Sequence, residues 1–310
     1  MNLKDLKYLL AIAEYRHFGK AAKACLVSQP TLSIQLKKLE RTLGVQLFER
    51  GKKRVLITTS GMRIVEQAKL VLSAMNELER VAKLTNDPFA AELRLGLIPS
   101  LGPYLLPHIL PIIKKQLPKL ILYLFEDKTE ALLTQLNEGS LDAVILALPV
   151  PHKGMHVQIL FKEPFFLVMP VSHLLRYSKE LHLKDLNHDN LLLLEEGHCL
   201  REQALEVCRK KSHLKEKMNY RATSLETLRH MVASGTGITL LPLLALEEHP
   251  LLVNKPFTAP VPGRTIGILW RKESALEPCC KKLALLIENM LPDVLENLEK
   301  KLKSTNTFRT

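Results

Sequence analysis

Apolar positions recur at helical spacing from the first residues. Leu3, Leu6, Leu10 and Ala13 share one face, and Phe18, Ala21, Ala22 and Cys25 continue onto a second, shorter helix. Leu26-Val27-Ser28 breaks the period. Ser28 is a good N-cap for a third helix, Pro30 is tolerated in its first turn, and Leu32, Leu36, Leu39 and Leu43 form its apolar face up to Gly44. Two brief strands are expected at Val45–Phe48 and Val55–Thr58, joined by Glu49-Arg50-Gly51-Lys52-Lys53-Arg54. The pattern predicts a helix-turn-helix followed by a basic wing. A long helix then runs from Thr59 or Ser60 to Leu84, with Ile64, Ala68, Val71, Met75, Leu78 and Ala82 spaced as an a/d seam. Its own domain is one possible cover for that stripe. A dimer is favoured, because a helix joining two domains has little surface of its own to hide it. Thr85-Asn86-Asp87-Pro88 ends the helix and marks a linker.

Beyond residue 90 the pattern alternates strand and helix. Strands are expected at Leu93–Ile98, Leu120–Phe125 and Ala143–Leu148, with helices at Pro103–Gln116 and at Thr129–Glu138, the latter closed by Gly139. Such alternation predicts a parallel sheet with helices on its faces. Less regular strands follow at Phe165–Met169, Leu191–Leu194, Ile238–Leu241 and Thr265–Trp270, and a helix at about 281–303 closes the chain. The segment 165–265 reads as an insertion into the first α/β unit.

Composition narrows the classes. The chain has 310 residues, 46% of them hydrophobic and 25% charged, enough for cores that need no disulfide framework. No apolar run approaches the roughly 18 residues of a spanning helix, so no membrane association is expected. The N-terminus lacks the layout of a secretory signal, and cytoplasmic residence is expected. Five cysteines in a reducing compartment do not read as structural bridges. Of the net charge of +12, two-thirds lies in the first 54 residues. A solvated helical surface is the plain reading. Clustered Lys and Arg on a small domain also release counterions from a phosphate backbone, which favours nucleic-acid binding.

The helix opened by Ser28 is the candidate recognition helix. With its leucines turned inward, Gln29, Pro30, Thr31, Ser33, Ile34, Gln35, Lys37 and Lys38 lie on or near the other side. Gln pairs with adenine, Ser and Thr reach base edges or phosphates, Lys neutralises phosphate, and Ile34 suits a thymine methyl. Arg50, Lys52, Lys53 and Arg54 give the wing its charge. Leu6-Lys7-Tyr8-Leu9-Leu10, Phe18-Gly19-Lys20-Ala21-Ala22, Val27-Ser28-Gln29-Pro30-Thr31-Leu32-Ser33, Leu39-Glu40, Leu43-Gly44 and Leu47-Phe48-Glu49-Arg50 resemble the N-terminal pattern of the LysR-type transcriptional regulators. That resemblance implies an α/β chain with an N-terminal winged helix-turn-helix at 1–58 and a linker and dimerisation helix at 59–88. A two-lobed, periplasmic-binding-protein-like effector domain at 89–310 follows. Its lobes are expected at about 89–162 plus 268–300, and at 163–267. Duplex DNA and a homodimer or homotetramer are the implied partners.

Glu195-Glu196-Gly197-His198-Cys199 follows a buried strand, and the sequence looks helical from Cys199 onward. A first-turn cysteine faces orphan N–H groups and the positive end of the helix dipole, with His198 and Arg201 beside it, and each favours thiolate. Cysteines in general are more often buried small hydrophobes, but a flanking His and Arg are poor company for one. On a continuous helix Cys199 and Cys208 stand about 13.5 Å apart along the axis, whereas a disulfide needs Cα atoms within about 7 Å. Bridging them must therefore unwind the helix, which couples oxidation to refolding.

Gly96-Leu97-Ile98-Pro99, Gly102-Pro103-Tyr104-Leu105-Leu106-Pro107-His108, Gly197-His198-Cys199-Leu200-Arg201 with Cys208, and Arg221 to Arg229 resemble the hydrogen-peroxide-sensing branch of the same family. The resemblance implies that Cys199 is the peroxidatic cysteine and Cys208 the resolving one, and that Ser100, Thr129 and His198 hold peroxide. Ser100 departs from the branch pattern, which has Thr: the hydroxyl is kept, but the lost methyl frees the rotamer. Arg264 is the candidate for stabilising the thiolate. Control of oxidative-stress defence genes, contact with RNA polymerase and resetting by a glutaredoxin- or thioredoxin-type reductant are implied likewise. A small organic effector between the lobes is the nearest alternative. A thiol peroxidase shares the cysteine chemistry, but the basic winged helix argues for a regulator, not an enzyme. A zinc site at His198, Cys199, Cys208 and His213 matches no standard spacing, so neither metal nor cofactor is expected. Cys25 reads as packing, and Cys279 and Cys280 carry no assigned role.

Overall fold

Asn2 and Asp5 start the first helix by exchanging hydrogen bonds, Asp5 N to Asn2 Oδ1 at 2.9 Å and Asn2 N to Asp5 Oδ2 at 2.8 Å. The computed structural model describes residues 1–50, 55–84, 87–186, 190–209 and 216–307. They fall into two compact units. In the first, α1 (Leu3–Tyr15), α2 (Phe18–Ala24) and α3 (Gln29–Leu43) precede a short antiparallel pair, β1 (Phe48–Arg50) and β2 (Val55–Ile57). Ser28 caps α3 by accepting from Thr31 N at 3.2 Å, and Gly44 ends it at φ 68°. Leu6, Leu9, Ile12, Leu32, Leu36, Leu39 and Leu47 form the buried core. The long helix α4 (Thr59–Leu84) follows. Its first turns pack Ile64, Val65, Ala68 and Leu72 against that core, while Val71, Leu78 and Val81 remain exposed. The stripe is thus divided: its own domain covers Ile64 and Ala68, while Val71 and Leu78 are exposed.

The strand expected at Val45–Phe48 begins only at Phe48. Val45 N still bonds Glu40 O, and Leu47 N and Phe48 N both donate to Glu40 Oε1, so these residues finish capping α3 before the ladder starts.

The second unit opens with three parallel strands, β3 (Glu92–Leu97), β4 (Ile121–Glu126) and β5 (Ala143–Leu148), linked by α5 (Gly102–Gln116) and α6 (Thr129–Asn137). Pro103, Pro107 and Pro111 recur every fourth residue on the exposed face of α5, opposite buried Leu105, Ile109 and Ile113. Then come β6 (Met155–Pro170), β7 (Leu191–Leu194), α7 (Cys199–Arg209), β8 (Glu216–Ala222), α8 (Leu225–Ala233), β9 (Thr239–Pro242), β10 (Leu252–Pro256), β11 (Gly263–Arg271) and α9 (Glu277–Thr307). The sheet runs β10-β6-β11-β5-β3-β4, with β9 also on β6.

The strand expected at Phe165–Met169 is the second half of the longer β6. Its first half pairs with β11 in one lobe, and its second half pairs with β9 and β10 in the other. The polar Lys162-Glu163-Pro164 reads as a break in the sequence; it is the point where the strand changes partners. Strands β8 and β10 lack a clear alternation and were not expected. Helix α9 starts at Glu277, ahead of the expected 281, and its Leu295, Leu298 and Leu302 pack against the second lobe's core around Phe165, Leu194, Leu228 and Leu241.

Asp142 ties β3 to β5. It is fully buried, with Oδ2 accepting from Arg94 N at 2.8 Å and Nε at 3.1 Å, and Oδ1 accepting from Arg94 Nη2 at 2.9 Å. Removing one partner of such a pair leaves a charge poorly compensated. Asp142→Ala is expected to lower stability by about 3 kcal/mol or more, read from urea unfolding midpoints.

Candidate functional site

Two regions carry chemistry, one in each unit. On α3, Gln29, Pro30, Thr31, Ile34 and Lys37 are exposed and Ser33 and Gln35 half-buried, while Leu32, Leu36 and Leu39 are turned into the core. Ile34 shows 64% of its surface, unusual for an isoleucine on a packed helix and suited to an apolar contact outside the chain. The Thr31 hydroxyl is 2.8 Å from Ser28 Oγ, so it also reinforces the cap. Arg50 ends β1, but its side chain lies outside the described residues, as do Lys52, Lys53 and Arg54.

In the second unit the expected residues stand at the C-terminal ends of parallel strands, where open α/β sheets place their ligands. Ser100 follows β3 and Thr129 follows β4. These strands are neighbours in register, Leu97 opposite Glu126, and Asp127 N donates to Leu97 O at 3.3 Å, so both turns share one rim. Cys199 follows β7 in the other lobe, at the first residue of α7, and is half-buried. Gly197, at φ 89°, supplies the turn that leads into it.

Direct contacts join the rims of the two lobes. Lys128 Nζ donates to Glu195 Oε1 at 2.7 Å and to Glu196 O at 3.0 Å, tying the turn that carries Thr129 to the turn that carries His198 and Cys199. Arg264 on β11 donates from Nη1 to Ser100 Oγ and from Nη2 to Ser100 O, both at 3.0 Å. Tyr104 Oη bonds Glu226 Oε1 at 3.1 Å, and Arg229 continues that link to Glu226, Glu247 and Ala245 O. Thr129 Oγ1 is buried and has no hydrogen-bond partner among the described residues.

His198 is buried, its Nε2 3.7 Å from Glu195 Oε1. Burial foremost, then the Lys128 ammonium, push its imidazole below the ordinary histidine range, opposed by Glu195. At neutral pH this shift favours an uncharged, hydrogen-bonding ring beside Cys199. Arg201 turns back to the preceding strand, Nη1 donating to Leu194 O at 3.1 Å. The helix start remains as the dipolar influence on Cys199. Cys208 lies on the same continuous helix, but its side chain, like residue His213, is outside the described residues.

Of the remaining cysteines, Cys279 and Cys280 are fully buried and Cys25 half-buried. Cys279 donates from Sγ to Pro88 O at 2.8 Å, and burial pushes its thiol up to about 11. Cys280 is raised further, first by burial and then by Cys279 and Asp142. Cys25 is raised by burial in the first unit. Among the described residues no cluster of metal-ligating side chains occurs, and no helix is long and apolar enough to cross a membrane.

The sequence reading missed Glu163, Lys128, Glu195 and Glu226 as site members. Their only local signal is a charge at a strand end or beside an apolar run, which many surface residues share.

The family described as "Bacterial regulatory helix-turn-helix protein, lysR family" matches residues 3–62, and "LysR substrate binding domain" matches residues 86–291. The chain belongs to the LysR family of transcriptional regulators. Within that family its resemblance is to OxyR. The DNA-binding transcriptional dual regulator OxyR of Escherichia coli (strain K12) is 46% identical over 287 residues, 92% of this chain and 94% of that protein. Full-length OxyR of Pseudomonas aeruginosa, in a cysteine-to-aspartate variant, is 40% identical with a TM-score of 0.74, over 93% of this chain and 94% of that one. A cysteine-to-serine variant of Corynebacterium glutamicum OxyR with hydrogen peroxide bound is 32% identical with a TM-score of 0.67, over 97% and 95%.

The direction of the His198 shift has a spectroscopic consequence. In a nitrogen-detected NMR titration the His198 ring should stay neutral to below the ordinary histidine range, and Lys128→Met should move it back toward that range. A ring that protonates within the ordinary histidine range in both proteins contradicts the assignment.

Proposed function

We propose that this chain is a hydrogen peroxide-responsive transcriptional regulator that binds promoter DNA and changes its contacts when Cys199 is oxidised. The observation that carries the reading is the position of Cys199 at the start of α7, joined through Lys128 and Glu195 to the strand ends bearing Ser100 and Thr129. Relatives named for peroxide-inducible gene activation support it. In this reading residues 1–58 bind DNA, 59–88 link and pair subunits, and 89–310 sense peroxide in the cytoplasm. The sensing lobes are about 89–162 plus 268–300, and 163–267. A dimer or tetramer presents two or more heads to the duplex, with the α3 residues reading bases and Arg50, Lys52, Lys53 and Arg54 holding the backbone.

The chemistry balances with the chain's own thiols. The Cys199 thiolate attacks one peroxide oxygen; an S–O bond forms, the O–O pair leaves with the other oxygen as hydroxide, and protonation gives water. Sulfur is oxidised to sulfenic acid and peroxide is reduced. Cys208 sulfur then attacks the sulfenic sulfur, an S–S bond forms, and a second water departs. Thr129, with its buried hydroxyl, and neutral His198 offer hydrogen bonds that orient peroxide.

The sulfenic acid alone changes little in volume or charge. The bridge must melt α7, giving up several helical hydrogen bonds of about 1 kcal/mol each, comparable to typical allosteric couplings of about 1–3 kcal/mol. The melted helix then has to find new packing, which is the proposed source of the altered DNA footprint. A thiol-type reductant resets the switch, and RNA polymerase reads the altered complex at defence-gene promoters.

Cys208→Ser should therefore still consume one equivalent of peroxide at Cys199 while losing the lasting footprint change, measured by footprinting before and after a brief peroxide pulse. A variant that shifts its footprint as durably as the parent would place the signal in the sulfenic acid instead. Gln29→Ala should relax sequence preference by about 1–3 kcal/mol at one base pair, measured by competition against single-base operator variants. Equal losses on all sequences would remove Gln29 from base reading.

A further inference from the structure

Arg264 and Glu163 are Cα partners on β11 and β6, opposed at the point where β6 leaves one lobe for the other. Neither side chain has any solvent exposure. Glu163 uses both oxygens: Oε2 accepts from Arg264 Nε at 2.8 Å, and Oε1 accepts from Leu244 N at 2.8 Å. The carboxylate is thus fixed at two points and cannot rotate without giving up a buried hydrogen bond. Its partner is fixed in turn. With Nε held, the planar guanidinium presents Nη1 to Ser100 Oγ and Nη2 to Ser100 O, gripping one residue by two of its oxygens.

We infer that Glu163 is a positioning residue for the peroxide reaction, acting through Arg264 to set the Ser100 hydroxyl as a hydrogen-bond donor toward peroxide. The inference rests on the reading of Cys199 as the reacting thiol. Serine has no β-methyl to restrict χ1, so its hydroxyl would otherwise sample several wells. Contact with both Oγ and O of the same residue selects one. A hydroxyl oxygen that accepts from a cation has its O–H proton left to give, and that proton is polarised by the same contact. In the displacement at the O–O bond, negative charge develops on the leaving oxygen, where a preoriented donor is most effective. Arg264 acts on the reaction through Ser100. Ion pairing alone needs only the Glu163 contact; it does not require both remaining nitrogens to converge on one residue of another turn.

The test compares the full chain with E163Q, S100A and E163Q/S100A. For each, the rate of Cys199 oxidation by hydrogen peroxide and the rate of its alkylation by iodoacetamide are followed by peptide mass spectrometry. Glutamine can accept from only one of the two donors, and its amide nitrogen faces the other. The ratio of the two rates should fall about tenfold or more in E163Q and in S100A, the size expected for one charge-assisted hydrogen bond. It should fall no further in the double variant, since both changes remove the same donor. An unchanged ratio in E163Q, or losses that multiply in the double variant, would overturn the proposal. General loosening slows or speeds both reagents together and leaves the ratio unchanged. If E163Q does not fold, E163D, which keeps the charge but retracts it by one methylene, should show the same selective loss, and a parental ratio there overturns the proposal equally. Cys199→Ser separates the two levels: peroxide consumption at the parental rate in that variant defeats the reading of Cys199, whereas silence there with a parental E163Q ratio defeats only the role of Glu163.

Discussion

A buried carboxylate and a buried guanidinium face each other where β6 and β11 pass between the lobes, and much of the sensing unit is arranged around that contact. Two charges removed from water are tolerated only when their remaining hydrogen-bonding groups are also met. Glu163 meets this with the Leu244 amide and Arg264 with both oxygens of Ser100. The first of these partners belongs to the turn after β9, the second to the turn after β3. Satisfying one ion pair therefore ties the two lobes together at a fixed place. The same requirement puts a serine hydroxyl at the rim where Cys199 and Thr129 also stand.

The other ties between lobes differ in kind. Lys128 to Glu195 is partly exposed and is screened by salt, so it contributes orientation more than stability. The Tyr104–Glu226–Arg229–Glu247 chain runs from half-buried to exposed groups, with Arg229 alone deeply buried. A rigid contact at the strand crossing is thus accompanied by softer, partly exposed contacts at the cleft. The charged clasp beside Cys199 shares no residue with the crossing.

What was legible in the sequence follows from the range of the interactions. The winged head is specified by near neighbours: Ser28 caps its own helix, Gly44 ends it, and the leucine period of α3 names its buried face. The place of Cys199 at a helix start was legible for the same reason, because a helix start and its flanking residues are local. Arg264 and Glu163 lie 101 positions apart, and Arg264 and Ser100 lie 164 apart. No periodicity spans such distances. Strand β6 was read only at its Phe165–Met169 stretch because its two halves pair with different strands, and Pro164 looks like an end when it marks a change of partners. The burial of His198 was not legible either, because flanking sequence does not disclose it.

The buried cysteines have a meaning for a chain that responds to an oxidant. A thiol with its pKa near 11 has only about one molecule in ten thousand ionised at pH 7. Cys279 is in addition occupied with the Pro88 carbonyl, and both residues are fully buried. Peroxide arriving from solvent is therefore not spent on these sulfurs, and they neither dull the response to a small pulse nor accumulate damage during a large one. Their packing serves as discrimination, since at Cys279 and Cys280 an oxidant finds neither access nor a ready thiolate.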